Sequence, residues 1–371
     1  MSEYFGKEVQ KLGFGLMRLP KKGEEIDIEQ VKQMVDMFLE AGFTYFDTAF
    51  VYQGSEEAAK KALVERHPRE SYTLATKINA MAAGSEKAAK EQFATSLERT
   101  GAGYFDFYLL HALMEDNYKK YDEYHLWEFA REQKEKGLIR HLGFSFHGGP
   151  QLLDQLLKEH PEVEFVQLQI NYADWENPSV ASRANYEVAR KHGKPVVIME
   201  PVKGGSLANP SAAVKRLFEG CHEDMSCASW AIRYAASLDG ILTVLSGMSD
   251  IQQMEDNLSY MKAFQPLVEE EQRIIEQVQK ILSRSPEIAC TACHYCTEGC
   301  PKQIPIPEIF AAMNKHLGSG KLSEAVADYQ KAVEGAGQAS ACIDCKQCER
   351  ACPQHLEITA YLKQCAQALE Q

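Results

Sequence analysis

Two cysteine runs near the end of this 371-residue chain constrain it more than any other feature. The first reads Cys290-Thr-Ala-Cys293-His-Tyr-Cys296-Thr-Glu-Gly-Cys300-Pro301, the second Cys342-Ile-Asp-Cys345-Lys-Gln-Cys348-Glu-Arg-Ala-Cys352-Pro353. The spacing is identical in both, with a proline after each last cysteine. Three cysteines separated by two residues wrap a short loop round one small object. A zinc ribbon uses paired cysteines with no third in register. A disulfide framework suits secreted chains, and the opening stretch carries charges and glycines without an apolar core run, so no signal peptide is expected. The other cysteines, Cys221, Cys227 and Cys365, are expected to be ordinary thiols.

Both runs resemble the bacterial ferredoxin run, whose thiolates hold four-iron clusters. The resemblance implies two [4Fe-4S] clusters. In two-cluster ferredoxins the fourth cysteine ligates the other cube, so Cys290, Cys293, Cys296 and Cys352 are expected round one cluster, and Cys342, Cys345, Cys348 and Cys300 round the second. Helical patterning at 308–317, 323–333 and 357–369, punctuated by glycines, separates and follows the runs. That layout is closer to the α-helical ferredoxin domains than to compact two-cluster ferredoxins. A small α-helical ferredoxin-like domain over 286–371 is expected, behind a linker at 283–287.

Residues 1–285 read differently. Eight short apolar runs, at 14–17, 43–46, 72–75, 105–110, 141–144, 165–168, 196–199 and 241–245, alternate with amphipathic stretches. Val31, Met34, Val35, Phe38 and Leu39 repeat at helical spacing, as do Ala89, Phe93 and Leu97. Strand alternating with helix implies parallel pairing with crossover helices. Eight such units predict a (β/α)8 TIM barrel. An open doubly wound sheet is the alternative, but no G-x-G-x-x-G follows an early strand. A helix carrying Ile274, Ile275, Val278, Ile281 and Leu282 closes this part.

In such barrels the chemistry sits at the C-terminal strand ends. Asp47, Lys77 and His111 occupy that position after the second, third and fourth runs, and Tyr52 lies in the loop after the second. Singly, they have ordinary explanations as a strand-end cap, a solvated lysine, a core histidine and a surface aromatic. Together they resemble the aldo-keto reductases. The likeness rests on Phe46-Asp47-Thr48-Ala49-Phe50-Val51-Tyr52-Gln53-Gly54-Ser55-Glu56, Ala75-Thr76-Lys77, Asp106-Phe107-Tyr108-Leu109-Leu110-His111, Gly143-Phe144-Ser145 and the first strand from Gly13 to Pro20. It covers the first three quarters of the chain, in order. It implies a carbonyl reductase in which Tyr52 is the general acid. A tyrosine titrates near ~10; Lys77 is expected to lower that value, Asp47 to hold Lys77, and His111 to orient the carbonyl.

The resemblance also implies a nicotinamide cofactor, NAD or NADP. Ser145 and Gln167 would bind its carboxamide, with Gly15 and Met17 on the first strand nearby. Met199 stands where the family usually has a stacking aromatic ring, a less specific platform. Pro201, Lys203 and Gly204 belong to the loop expected at the pyrophosphate. Gly247, Ser249, Gln253 and Asn257 fall at the adenosine-phosphate position. Gly247 and Gln253 are uncharged where NADP-binding members place cations, so strong NADP selectivity is not expected.

Hydrophobic content of 45% and charged content of 25% fit an ordinary globular protein. A net charge of −13 argues against nucleic acid and suits a basic partner. No apolar stretch approaches membrane-spanning length, and the cysteine usage points to the cytoplasm. The two halves transfer electrons differently: nicotinamide passes two as hydride, a cluster one. Three functions stay open: a nicotinamide-dependent reductase with accessory clusters, a reductase fed by a ferredoxin or flavoprotein, and an electron-transfer or sensor subunit on a quiet barrel.

Overall fold

A computed structural model describes residues 3–5 and 7–370; the outer ends of the two expected domains, Met1 and Gln371, lie outside them. All eight apolar runs become strands of one closed parallel barrel. They are β1 (Leu12–Gly15), β2 (Tyr45–Asp47), β3 (Thr73–Ile78), β4 (Phe105–Leu113), β5 (Ile139–Phe146), β6 (Phe165–Gln169), β7 (Val196–Met199) and β8 (Ile241–Ser246). The ring closes through β8 on β1, with Leu245 opposite Gly13. The open-sheet alternative is thereby set aside. The first run differs in detail, since the strand stops at Gly15 and Leu16–Arg18 turns into a 3-10 helix that carries Met17 off the strand.

The strands read as near-continuous apolar runs because both faces are buried, by the barrel interior and by the helices. Tyr45, Ala75, Phe107, Leu109, Phe165, Val197, Leu242 and Leu245 share one interior cluster with Val9. Phe5 packs against this cluster, its ring edge-on to Phe107. Gly143 shows how tight the wall is: a Cβ there would lie 2.6 Å from the Phe165 ring and 2.7 Å from the Phe165 carbonyl oxygen. The helix Ile28–Glu40 buries Val31, Met34, Val35 and Phe38 and is capped by Asp27, which accepts from the Gln30 N–H. Helix Glu86–Thr100 buries Ala89 and Phe93 and is capped by Ser85.

The chain divides into two compact units. The first is residues 1–177, 181–201 and 228–268, the barrel with most of its helices. The second is 178–180, Val202–Cys227 and Glu269–Gln371. Within the second, helices Ala212–Cys221 and Glu269–Leu282 pack together, and His222 meets the buried Glu271 carboxylate at 3.0 Å. Its cysteine-bearing part is helical as expected, with Ile306–Ser319, Leu322–Ala332 and Ile358–Leu369 as the long helices. Ile309, Phe310, Tyr329, Ile358, Leu362 and Leu369 form its core together with Cys296, Cys348, Cys352 and Cys365. Among the described residues, no helix is long and apolar enough to cross a membrane.

Candidate active site and cysteine cavities

Three successive strand ends build the polar centre of the barrel. Asp47 ends β2, Lys77 lies near the end of β3, and the two pair at 2.5 Å, both fully buried. Lys77 Nζ also donates to the Thr48 carbonyl oxygen at 2.7 Å. Burial pushes the Asp47 carboxyl up and the Lys77 ammonium down, and each is held charged against that push by the other. The Lys77 ammonium lies 5.0 Å from the centroid of the Tyr52 ring. The His111 ring stands edge-on to Tyr52, centroids 5.7 Å apart. The four residues expected to act together are therefore brought together.

Local structure explains how each is aimed. The Tyr52 loop is pinned from below: the Ser55 hydroxyl meets Thr48 Oγ1 at 2.7 Å and donates to the Leu16 carbonyl oxygen at 2.9 Å. His111 sits where β4 loses register with β5, between Leu110 and Leu113. The bulge runs through Ala112 at φ +56°. It is held there by the Ala112 N–H donating to Ser145 Oγ at 2.7 Å and by Asn117 Nδ2 donating to the Ala112 carbonyl at 2.8 Å. The Tyr121 hydroxyl donates to the His111 carbonyl oxygen. Burial first, then the Lys77 cation, then His147, push His111 well below the ordinary histidine range. The ring at the site is neutral imidazole at pH 7.

Sequence reasoning quoted Glu56 within a motif and gave it no role. It is a fully buried carboxylate that accepts from Thr76 Oγ1 at 2.8 Å and lies 3.4 Å from Arg99 Nη1. Thr76 precedes Lys77 on β3. The part that Asn117 and Tyr121 play at the bulge has no sequence signal either; no local motif marks a residue whose task is to hold a bulge.

Of the residues expected at a nicotinamide, two end barrel strands and two more face each other across neighbouring strands. Gly15 ends β1 and Met199 ends β7. Ser145 and Gln167 are register partners across β5 and β6. Gln167 is buried, and among the described residues its Oε1 has no hydrogen-bond partner; the same holds for Asn257 Oδ1 on helix Ile251–Met261. A buried acceptor left open costs about 1–3 kcal/mol, a cost that a water or a bound donor would offset. Pro201 follows β7, behind Glu200 at φ +56°. Lys203 and Gly204 lie in a left-handed turn of the second unit. Gly247 follows β8, with Arg18 side-chain carbons 3.6–3.9 Å from where its Cβ would be. Ser249 and Gln253 are bound to each other: the Ser249 N–H donates to Gln253 Oε1 at 2.9 Å, while Asp250 caps the helix through the Gln253 N–H at 2.7 Å.

The cysteines line two small cavities of the second unit, with about 310 and 320 Å3 of empty volume. Cys290, Cys293, Cys296 and Cys352 line one; Cys300, Cys342, Cys345 and Cys348 line the other. The backbone repeats as the cysteines do. Ala292, His294 and Gln303 have φ of 49°, 64° and 50°, and Asp344, Lys346 and His355, each 52 residues on, have 57°, 58° and 51°. Left-handed residues between cysteines turn successive N–H groups to one side, a nest suited to anions and iron–sulfur groups. The Ala292 N–H donates to Cys290 Sγ at 3.4 Å. Among the described residues, no three His, Cys, Asp or Glu side chains meet tightly enough for a single ion; the thiols surround a space.

Residues 11–280 match the model of the aldo/keto reductase family, and 289–356 match that of the 4Fe-4S dicluster domain. The chain belongs to the aldo-keto reductases. It is an oxidoreductase of that family with a 4Fe-4S dicluster domain joined to the barrel. An aldo-keto reductase of Mycolicibacterium smegmatis is 27% identical over 205 residues, 54% of this chain and 67% of its own length. The oxidoreductase YqkF of Bacillus subtilis is 27% identical over 302 residues, 74% of this chain and 94% of its own. The first three curated relatives are matched over 54–67% of their length. Among solved structures, aldo-keto reductase AKR11C1 of Bacillus halodurans in its holo form has a TM-score of 0.59 at 28% identity, covering 74% of this chain and 93% of that one. A Klebsiella pneumoniae aldo/keto reductase, solved with NADP and acetate, has a TM-score of 0.60 at 20% identity, covering 73% and 92%. At that identity the likeness is one of fold.

Proposed function

We propose that the barrel reduces a carbonyl compound, or oxidises the corresponding alcohol, with a nicotinamide cofactor, and that the cysteine-bearing part carries two [4Fe-4S] clusters. The observation that carries the first half is the buried Asp47–Lys77 pair set beside the Tyr52 ring with neutral His111 against it. Reduction leaves negative charge on the carbonyl oxygen. Tyr52 gives that oxygen its proton. Lys77 favours the phenolate left behind, and Asp47 keeps Lys77 charged and in place. His111, neutral, orients the carbonyl by hydrogen bond rather than adding a second cation. A nicotinamide, when bound, supplies hydride to the carbonyl carbon. Gln167 Oε1 and Ser145 Oγ would hold its carboxamide and Asn257 Oδ1 its adenine end, with Gly15, Met17, Met199, Pro201, Gly247, Ser249 and Gln253 as further candidate contacts; Lys203 and Gly204 stay candidates on the family resemblance alone. The open acceptors support that reading, as does the NADP bound in a neighbour of the same fold.

The cluster assignment follows the cavities: Cys290, Cys293, Cys296 and Cys352 for one, Cys342, Cys345, Cys348 and Cys300 for the other. Each cluster supplies one-electron chemistry. A sequence boundary at 285/286 falls between the family matches, which end at 280 and begin at 289, while the compact units already part at 268/269. A second reading, in which the clusters feed electrons to the enzyme from a ferredoxin or flavoprotein, draws on the two four-thiol cavities, since two one-electron centres together hold the two electrons that a carbonyl reduction needs. Anaerobic titration with NADH and NADPH tests both readings. Tight binding, turnover of a carbonyl panel with nucleotide as sole donor, and loss of turnover in Tyr52→Phe support the first. Turnover that needs a reduced carrier protein supports the second.

A further inference from the structure

The two cysteine loops have the same fold, and their surroundings are not the same. Thr291 and Ile343 are equivalent, each following the first cysteine of its run. Thr291 is 2% exposed; Ile343 is 57% exposed. The first loop is covered within its own unit by the Lys203–Gly205 turn. Gly204, at φ +64°, lies so close that a Cβ would be 2.4 Å from the Thr291 carbonyl oxygen. The second loop has an apolar tip open to solvent directly over its cavity, which Ile343 itself lines.

Charge separates them as well. The first cavity has no lysine, arginine or carboxylate in its lining; the second has Lys302 and Lys346, both exposed, and no carboxylate. The two acids beside this loop are each paired with a cation, Glu349 with the rim lysine Lys346 itself. Asp344 pairs with Lys363 at 3.1 Å, and Glu349 takes the Thr359 N–H at 2.9 Å and its hydroxyl at 2.8 Å, with Lys346 3.8 Å away. Where the first run has Ala292, His294, Thr297 and Glu298, the second has Asp344, Lys346, Glu349 and Arg350; with Lys302 and Lys363 beside it, cations outnumber acids at the second loop. A chain of net charge −13 thus presents a locally basic rim round an exposed isoleucine, at the one of its two cavities that is uncovered. That reverses the expectation of a basic partner drawn from net charge alone.

We propose that the exposed loop at 343–346, with Lys302 and Arg350 beside it, is the docking surface for a small acidic one-electron carrier protein. Ile343 supplies the desolvated centre of the contact and the lysines its charged rim. Such contacts are small and are steered by charge complementarity. On exchange, one electron passes between the carrier and the cluster held by Cys300, Cys342, Cys345 and Cys348; no bond forms or breaks. The inference rests on the two-cluster reading, which iron and sulfide counts test separately.

The experiment measures binding rather than turnover. The full chain, prepared anaerobically and shown to hold about eight irons, is titrated with an acidic plant-type [2Fe–2S] ferredoxin and, in parallel, with a basic cytochrome c. The ferredoxin is expected to bind, more weakly as salt rises. Ile343→Asp and the pair Lys302→Glu/Lys346→Glu are expected to weaken it at least about tenfold, with iron content unchanged. Lys87→Glu, on a barrel helix, leaves binding as it was. Preference for the cytochrome, salt-independent binding, equal loss in Lys87→Glu, or no ferredoxin binding by fully loaded protein would overturn the proposal. A chain that loads no iron sinks the cluster reading instead.

Discussion

The barrel rim and the cysteine lobe keep reactive groups in opposite ways. At the rim, neutralisation is internal: Lys77 answers Asp47 across 2.5 Å, and Arg99 stands by Glu56. In the lobe, like groups face one another. Burial pushes Cys348 up to about 11 and Cys296 higher still, with Cys293, Cys290 and Cys352 as further groups disfavouring its thiolate. Burial of this kind favours the neutral thiol; a cation or cluster bound between the sulfurs would favour the thiolate. The rim thus sets opposite charges against each other, while the lobe gathers like groups round two cavities.

Removing iron is the strongest way to break this contrast. Four cysteines belong to the lobe's core, and metal binding to such a lobe is folding free energy. Anaerobic chelation is expected to abolish hydrogen-exchange protection in helices Ile306–Ser319, Leu322–Ala332 and Ile358–Leu369, while amides of β3 and β4 keep theirs. A lobe that stays protected without iron would erase the distinction.

At the rim, stability and activity should separate. Lys77→Met strands a buried carboxylate and is expected to destabilise the barrel by about 3–5 kcal/mol in urea unfolding. Adding Asp47→Asn should return most of that stability and none of the activity. Tyr52→Phe should leave the unfolding midpoint unchanged while lowering kcat/KM by about 10^2–10^4. Equal losses of stability in all three would mean that the cluster of charges is structural.

The pH dependence sharpens the same point. His111 is held below its unfolded value, so the unfolded chain binds a proton that the folded one refuses. Stability is expected to fall as pH drops below about 6.5, down to the folded value, and to be flat in that respect above it. His111→Gln should lessen the acid loss in denaturant titrations run at pH 7 and pH 5.5. An unchanged slope would place the proton uptake elsewhere.

Much of this was legible in the chain because it is written in spacing. The cysteine runs and the eight apolar runs are local patterns, and each became the loop or strand it suggested. Asp47, Lys77 and His111 were readable from their positions at strand ends, since parallel strands must deliver their C-terminal residues to one rim. What stayed hidden depends on distant pairings. The Ala112 bulge exists because Ser145 and Asn117, 33 and five residues away, hold it. The burial of Thr291 and exposure of Ile343 could not be read from two runs of equal spacing, because the covering turn at Lys203–Gly205 lies far upstream.

Glu56 gives the smallest and most discriminating effect. Its carboxylate is buried behind Lys77, reached through Thr76, and its negative charge, after that of Asp47, favours the lysine's protonated form. Burial pushes Glu56 itself up, against the pull of neighbouring hydroxyls and Arg99. Glu56→Gln keeps an acceptor for Thr76 and removes only the charge. Arg99 retains Glu57 at 3.3 Å and the Phe50 carbonyl oxygen at 3.1 Å, so folding should be little affected. With one of its two carboxylate neighbours gone, Lys77 should lose its proton at lower pH. The basic limb of the kcat/KM profile is expected to move down by less than about one unit, with activity near pH 6 almost intact. A uniform fall at every pH would instead mean that Glu56 shapes the Tyr52 loop rather than the charge on Lys77.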